Sequence, residues 1–474
     1  MTIMKTETKA DKLSLVEPLC ALYEHGGRVY EVGGSLRDEL LGQPKKDRDL
    51  LVTGIAMESL TALLQKFGDV LTVGKSFGVI KFHPGHHKDA CIDIALPRKE
   101  ISTGLGHRDF EVDFDPSIPV ETDLSRRDFT INAMAKEIGG GDGEEGSPWI
   151  DPFQGRKDLE EKILRKVSDR SFEEDPLRLM RAVQFAARLN FQIEPETFAS
   201  MQKNAELIKT VSPERISEEL KKLFMAEKPS VGFILMQKTG LLKYVFPELE
   251  ENVGVEQGNK LHNDDVFMHT MRVLDASRKD TAIPMAGDLD LMLAALFHDV
   301  GKARTKGFDP VKNRMTFYGH QTLSRKMSKR RMEALKITTI GANPKQISHL
   351  VEHHMFQTKA FFSDRSIRRF INKVGPDHIL KLVDLRLADN RGGKYPEGIK
   401  GVLRLRKRIS EELDKKVPLS VKDLAIGGKD LMEIGIPEGP AIGEILKKLV
   451  HVVLDNPELN TKESLLNTVK EGQK

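Results

Sequence analysis

VYEVGGSLRDELLG (29–42), followed closely by DRDL (47–50), is the stretch on which the reading of this chain turns. Val29 to Val32 has the apolar, β-branched character of a short strand. Gly33, Gly34 and Ser35 make a turn, and a helix is predicted to open at Leu36. Glycines let backbone amides approach an anion closely, and a helix start attracts one. Ser35 is placed to cap that helix and to hydrogen-bond an oxyanion, and Arg37 adds a fixed positive charge. In DRDL a strand puts Asp47 and Asp49 on one face, about 6–7 Å apart. Two carboxylates so close raise each other's pKa when buried dry, but they suit divalent cations. A third acid, Asp93, interrupts the apolar run CIDIAL (91–96). Carboxylates that hold two Mg2+ ions beside a phosphate-binding turn are the apparatus of phosphoryl or nucleotidyl transfer. DxD alone is an acidic turn and Gly-Gly alone a tight turn; their succession argues for the chemistry.

The chain has 474 residues, enough for several domains. Charged residues make up 31% and hydrophobic ones 39%, ordinary for a globular protein. The net charge of +3 makes no general demand for a polyanion. Basic residues nevertheless cluster, in SRRDF (125–129), RKMSKRRMEALK (325–336), RSIRRF (365–370) and LRLRKR (403–408), and such clusters can follow a phosphate backbone or simply be solvated helix faces. Cys20 and Cys91 form no disulfide framework and no zinc spacing, which fits a reducing cytoplasm. No apolar run is long enough to span a bilayer, and the polar N-terminus has no signal-peptide pattern.

Strand-like and helical patterns alternate through the first third: a helix near 12–25, then VYEV, DLLVTG, a helix in MESLTALLQKF, DVLTVG, VIKFHP and CIDIAL. This predicts a small mixed α/β head over 1–155. Within it, 98–120 reads as a long loop, His86–His87 as a hairpin turn and GGGDGEEGS (139–147) as a flexible turn. Helical periodicity then dominates. The expected divisions are a helical neck or body over 156–255, a histidine- and aspartate-rich helical block over 256–400, and a helical tail over 401–474. The fold class is therefore α+β, a strand-containing head followed by a largely all-α remainder.

Taken in order, GGSLRDELLG, DRDL, DLSRRDFTINAMA (123–135), IDPFQGRKDL (150–159), EDPLRLMRAVQFAARL (174–189), HDVGKA (298–303) and GGKDLMEIGIPEGPAIGEIL (427–446) resemble the successive motifs of class II bacterial tRNA nucleotidyltransferases, the CCA-adding enzymes with an HD phosphohydrolase domain. The resemblance spans nearly the whole chain and extends to bacterial poly(A) polymerases and to enzymes that add only A or only CC. It implies a polymerase-β-like head, two Mg2+ ions on Asp47, Asp49 and Asp93, CTP and ATP as substrates, and tRNA as partner, in a cytoplasmic monomer or homodimer without a membrane role.

Two further segments gain meaning from it. In SRRDF, Ser125 is expected to cap an apolar helix with Asp128 three residues on. The resemblance assigns nucleotide contacts to Arg127 and Asp128, and Asn132 can bond a ribose hydroxyl. In EDPLRLMR, Pro176 suits a helix start, and Asp175 and Arg178 can share a face. A carboxylate beside a guanidinium matches the pairing edges of cytosine and adenine and leaves uracil and guanine unsatisfied, at about 1–3 kcal/mol per buried group. The resemblance gives Asp175 and Arg178 that role, and Arg181 is a second candidate contact.

A second constellation lies downstream: His269, His298, Asp299, His320, His353, His354 and Asp389. Aspartate inside an apolar helix is rarely buried unless paired or ligating. The set resembles the HD-superfamily metal pattern. It implies His269, His298, Asp299 and Asp389 as ligands, with His320 and His353 or His354 near a second ion or a phosphate. Mn, Ni or Co, or else Mg, suits such mixed ligands, the implied chemistry is phosphoester hydrolysis, and Lys302 can reach a phosphate.

Overall fold

Seven strands form the sheet that carries the first acids, in the order β3-β4-β5-β2-β1-β8-β9. This computed structural model describes residues 9–44, 48–73, 79–85, 91–102, 110–138, 148–257, 265–311, 313–357, 363–393 and 398–472. The strands are β1 (Arg28–Val32), β2 (Arg48–Thr53), β3 (Gly68–Val73), β4 (Val79–Pro84), β5 (Ile92–Ala95), β8 (Ala135–Ile138) and β9 (Trp149–Ile150). All pairs are antiparallel except β2 with β5.

Alternation along the strands sorts the two faces. Leu50, Val52, Ile92 and Ile94 point to one side and pack with Leu60, Leu63 and Leu64 of α3 (Met57–Leu64) and Leu22 of α1 (Lys9–Glu24). Tyr30, Val32 and Leu51 point to the other side, against Leu124 of α4 (Val120–Ser125). Asp49 shares the parity of Leu51, and Asp93 that of Ala95. Both acids therefore leave the sheet on the face away from α1 and α3.

Residues 98–120 are not the long loop expected. They hold an antiparallel pair, β6 (Arg98–Ser102) with β7 (Phe110–Phe114). The glycines at 104 and 106 read as loop, but pairing of the flanking residues outweighs weak periodicity. The turns expected at His86–His87 and 139–147 lie outside the described residues. Beyond the sheet come α5 (Gly155–Glu161), α6 (Ser171–Glu174) and α7 (Leu177–Leu189).

The chain divides into two compact units, 1–212 with 238–241, and 213–237 with 242–474. The second is built mainly of helices. Helix Leu289–Phe297 is buried on every side from Leu291 to Phe297, as its unbroken apolar run demands. It packs against helices Val266–Lys279, Pro344–His353 and Pro376–Gly392. A separate small core of Leu431, Leu446, Leu449, Val453 and Leu465 organises the last helices.

Arginines of two basic clusters are held in ion pairs. Arg368 is buried and bonds Glu412 Oε1 at 2.9 Å and Leu454 O at 2.6 Å, while Arg369 pairs with Asp455. Arg406 and Arg408 pair with Asp384 and Asp364.

Candidate active sites

Asp49 and Asp93 are register partners across the parallel pair β2–β5. Paired residues of adjacent strands share a face, about 4.8 Å apart, so the two carboxylates stand side by side. Asp47 lies outside the described residues. Lys81 flanks Asp93 from β4 and donates from Nζ to Asp93 Oδ1 at 3.1 Å. Both side chains are 41% exposed. The pair is therefore screened by water and easily exchanged for another cation, so the residues present fit a metal site.

Gly33 adopts φ 76°. A Cβ there would lie 2.6 Å from Arg127 Nη1 and 3.8 Å from Asp49 Oδ2. Glycine alone combines that backbone with that contact, and it brings the turn, Arg127 and Asp49 together. Helix α2 (Gly34–Leu40) opens at Gly34, two residues earlier than expected. Ser35 does not cap it; its buried Oγ donates to Val32 O at 3.3 Å.

Arg37 is no free charge. It is buried, with Nη1 donating to Asn132 Oδ1 at 2.7 Å and Nη2 to Asp38 Oδ1 at 2.6 Å. Its guanidinium lies 5.0 Å from the Phe185 ring centroid. Arg181 approaches the same ring at 5.3 Å and donates from Nε to Asp128 Oδ2 at 2.7 Å. Asp128 Oδ1 accepts from Asn132 Nδ2 at 3.0 Å and from Phe129 N at 2.8 Å. Burial opposes the charge on Asp128, but Arg181 and these bonds outweigh it and hold the pKa below the ordinary carboxylate value. Arg37, Asn132, Asp128 and Arg181 are thus one connected network around Phe185.

The helix expected to begin at Ser125 does not form. α4 ends there, and a 3-10 turn (Thr130–Asn132) leads into β8. Short apolar runs do not tell helix from strand, and here pairing with β1 satisfies the backbone of 135–138. Asp175 precedes the cap residue Pro176 of α7, and its Oδ1 accepts from Leu177 N at 3.2 Å. Arg178 turns back to Ser171, donating from Nη1 to its Oγ at 3.1 Å, and the carboxylate beside it is Glu174 at 3.6 Å.

In the second unit the histidines and aspartates converge in two groups. His269, His298 and Asp389 form one; Asp299, His320 and His354 form the other. Asp299 faces both. Its Oδ2 is 3.1 Å from His298 Nε2, and its Oδ1 is 3.3 Å from His320 Nε2 and 3.7 Å from His354 Nε2. His269 Nε2 is 3.1 Å from Asp389 Oδ1. The four imidazoles are oriented in one way. The Nδ1 atoms of His298, His320 and His354 bond the carbonyls of Ala295, Phe317 and Val351, each at 2.7 Å. That of His269 is 3.3 Å from Gly392 O. A carbonyl only accepts, so Nδ1 carries the proton and Nε2 is left toward the centre of the cluster. His298 Nε2 is buried, and its 3.1 Å approach to Asp299 Oδ2 lacks hydrogen-bond geometry. Such a donor set fits a divalent ion.

Burial opposes charge on His298, but Asp299 outweighs it and raises the pKa. Burial likewise disfavours the charged Asp299, yet His298 and Lys302 hold it well below the ordinary range. Lys302 Nζ lies 2.6 Å from Asp299 Oδ2. Gly301 locks this segment to the next: a Cβ there would lie 2.7 Å from His320 O.

His353 does not join either group. Its ring packs on His349, centroids 4.5 Å apart, while the next residue, His354, turns inward. One position along a helix is a rotation of about 100°, enough to exchange cluster for surface.

Comparison with known proteins matches segments of this chain to families. Residues 29–165 match the poly(A) polymerase head domain, 190–252 the probable RNA and SrmB-binding site of polymerase A, 266–391 the HD domain and 405–469 a tRNA nucleotidyltransferase domain 2. A multifunctional CCA protein of Burkholderia multivorans is 39% identical over 313 residues, 65% of this chain and 71% of that protein. This chain belongs to the multifunctional CCA protein family. A Paraburkholderia phymatum member is 41% identical over 282 residues, 58% of this chain, and the chain spans 63% of that relative's length.

The fold of this CCA-family chain also matches solved structures. The CCA-adding enzyme of Bacillus stearothermophilus in complex with CTP superposes with a TM-score of 0.67 at 24% identity, over 98% of this chain and 99% of that one. The Thermotoga maritima CCA-adding enzyme complexed with tRNA gives 0.62 at 23% identity, over 99% and 97%. At these identities the likeness is one of fold.

Several residues of this CCA-family chain that shape its sites escaped the sequence. Phe185 lies in a quoted motif, four residues after Arg181, and that spacing was its available signal. Lys81 gave none, because it meets Asp93 only across strands. Arg386 precedes Asp389 by one helical turn and bonds it at 3.1 Å. Among the described residues no helix is long and apolar enough to cross a membrane.

Proposed function

We propose that this chain adds C, C and A to the 3′ end of tRNA from CTP and ATP without a nucleic-acid template. We propose also that its second cluster is a metal-dependent phosphohydrolase acting on 2′,3′-cyclic and 2′-phosphates. The observation that carries the first reading is the side-by-side placement of Asp49 and Asp93 next to Gly33 and Arg127. Asp47, Asp49 and Asp93 would hold two Mg2+ ions, which when bound neutralise phosphate charge and lower the pKa of the acceptor hydroxyl. Gly33, Gly34 and Arg127 would take the triphosphate. Asp128 and Asn132, steadied by Arg181 and Arg37, would lie on the ribose side, and Ser35 would support the turn from behind.

Asp175 and Arg178 would read the base. Cytosine and adenine both offer an amine donor beside a ring-nitrogen acceptor, and an acceptor–donor pair from the protein complements both. A wrong base leaves buried groups unpaired. The helical remainder would grip tRNA by backbone and shape.

His269, His298 and Asp389 would hold one ion and Asp299, His320 and His354 a second, with Mn, Ni, Co or Mg suited to the nitrogen and oxygen donors. Lys302 would exchange Asp299 for a substrate phosphate when a metal neutralises that carboxylate. The ions supply an activated water when bound.

The test is tRNA ending at the discriminator base, incubated with CTP, ATP or both, followed by sequencing of the ends. CCA formed only with both nucleotides supports the reading. The match of the head to poly(A) polymerases favours one rival: long A tails from ATP alone would establish it, and A-only or CC-only ends would mark a partial enzyme.

A further inference from the structure

His353 and His354 are consecutive, yet only His354 enters the metal cluster. His353 instead faces a cavity of about 250 Å³, lined also by Gln321, Thr322, Phe356, Phe370 and Lys373. None of the six candidate ligands lines the cavity, but the chain connects its wall to the cluster in three places. Gln321 follows the ligand-position residue His320, and His353 precedes His354. Arg386, bonded to Asp389 at 3.1 Å, lies 5.8 Å from the ring centroid of the wall residue Phe356. Two of the six candidate ligands, His320 and His354, are therefore next in sequence to a wall residue, and Asp389 reaches the wall through Arg386.

We propose that this cavity is the nucleoside subsite of the second centre, receiving the base and sugar of a nucleotide whose phosphate lies on the cluster. The inference rests on the phosphohydrolase reading above and names its substrate contact. The chemistry of the wall supports it. Phe356 and Phe370, ring centroids 5.0 Å apart, make part of the wall apolar and aromatic. Gln321, Thr322 and His353 offer hydrogen-bonding groups for its edge and for sugar hydroxyls. Among the described residues these three side chains and that of Lys373 have no hydrogen-bond partner, so they are available to a ligand. The volume is close to the lower end, about 300 Å³, of small-ligand sites. That scale suits one nucleoside and excludes a strand.

The test measures phosphate release from 2′-AMP by the full-length, metal-loaded protein, with kcat and KM determined separately and adenosine added as inhibitor. Adenosine carries no phosphate, so its inhibition constant reports the cavity without the metal. Because the readout is hydrolysis, adenosine bound in the head does not register. In His353→Ala and Phe356→Ala, KM for 2′-AMP and the adenosine inhibition constant are expected to rise together by about tenfold, a loss of ~1.4 kcal/mol of binding. The value of kcat should stay within about threefold. Lys373→Ala, at an exposed position, should raise the same two constants and guards against a folding defect. Unchanged constants in all three variants would overturn the proposal, as would a fall in kcat at constant KM. Wild-type protein that extends tRNA yet releases no phosphate from 2′-AMP with any divalent metal would remove the phosphohydrolase reading itself, and the subsite with it.

Discussion

Asp49 and Asp93 stand opposite one another on adjacent parallel strands, one on each side of a single ladder position. Two carboxylates on one face, with the Lys81 ammonium beside Asp93, make a site suited to cations. Asp49→Asn and Asp93→Asn should each lower nucleotide addition to tRNA by about a hundredfold or more, because each removes an oxygen proposed to hold metal. Phosphate release from 2′-AMP should be unchanged, since the second cluster lies in the other unit. Loss of both activities in either variant would contradict two independent sites.

Gly33→Ala places a methyl group 2.6 Å from Arg127 Nη1 and imposes a positive φ on a residue that resists it. The backbone cost is about 1 kcal/mol or more. The larger effect falls on the proposed triphosphate site, because Arg127 must move. The expectation is a rise of roughly tenfold in KM for CTP and ATP alike. Steady-state addition kinetics with each nucleotide in turn would measure it. An effect on one nucleotide only would place Arg127 at the base instead.

Removing Arg181 leaves Asp128 buried without its charge partner, so Arg181→Met should destabilise the first unit by about 3 kcal/mol in denaturant unfolding. The pH dependence follows from the lowered pKa of Asp128. Its stabilisation is present above the unfolded value of about 3.9 and is lost as pH falls through the lower folded value. Asp128→Asn lacks that dependence. The stability gap between wild type and Asp128→Asn should therefore narrow as pH drops from about 5 towards 3. A constant gap would mean that the carboxylate carries no net charge interaction.

His354→Ala should reduce bound divalent metal by about one equivalent per chain, and His353→Ala should leave the metal content as it is. Elemental analysis of dialysed protein distinguishes the two. Metal loss in His353→Ala would place that imidazole in the cluster and remove it from the cavity wall.

Gly301→Ala should act on the same centre from behind. The added methyl meets His320 O at 2.7 Å, so the helix that begins at His320 must shift. Shifts of this kind at metal ligands cost about 10–100-fold in affinity or activity. Titration of metal-stripped protein with Mn2+, followed by phosphate release, would read it.

The strands from Val29 to Ala95 were legible because short apolar runs bounded by glycine and acids leave few alternatives. The helical block was legible because a 3.6-residue apolar period persists over long segments. SRRDFTINAMA misled because its apolar stretch is too short to show a period, and pairing of 135–138 with β1 decided the outcome. The pairing of β6 with β7 within 98–120 was hidden for the same reason. Arg37 read as a free charge because a sequence does not show the buried acceptor, Asn132, ninety-five positions away.

Chain order and residue type alone determined the inventory: which acids, glycines and histidines exist, and that a mixed sheet precedes a helical remainder. Local spacing carries that much, because helix and strand periods are properties of neighbouring residues. Only the folded structure decided who faces whom. It set Asp93 beside Asp49, assigned Asp299 to both histidine groups, and separated His354 from His353. Those outcomes depend on strand register and helix rotation, which are fixed by packing between segments far apart in the chain.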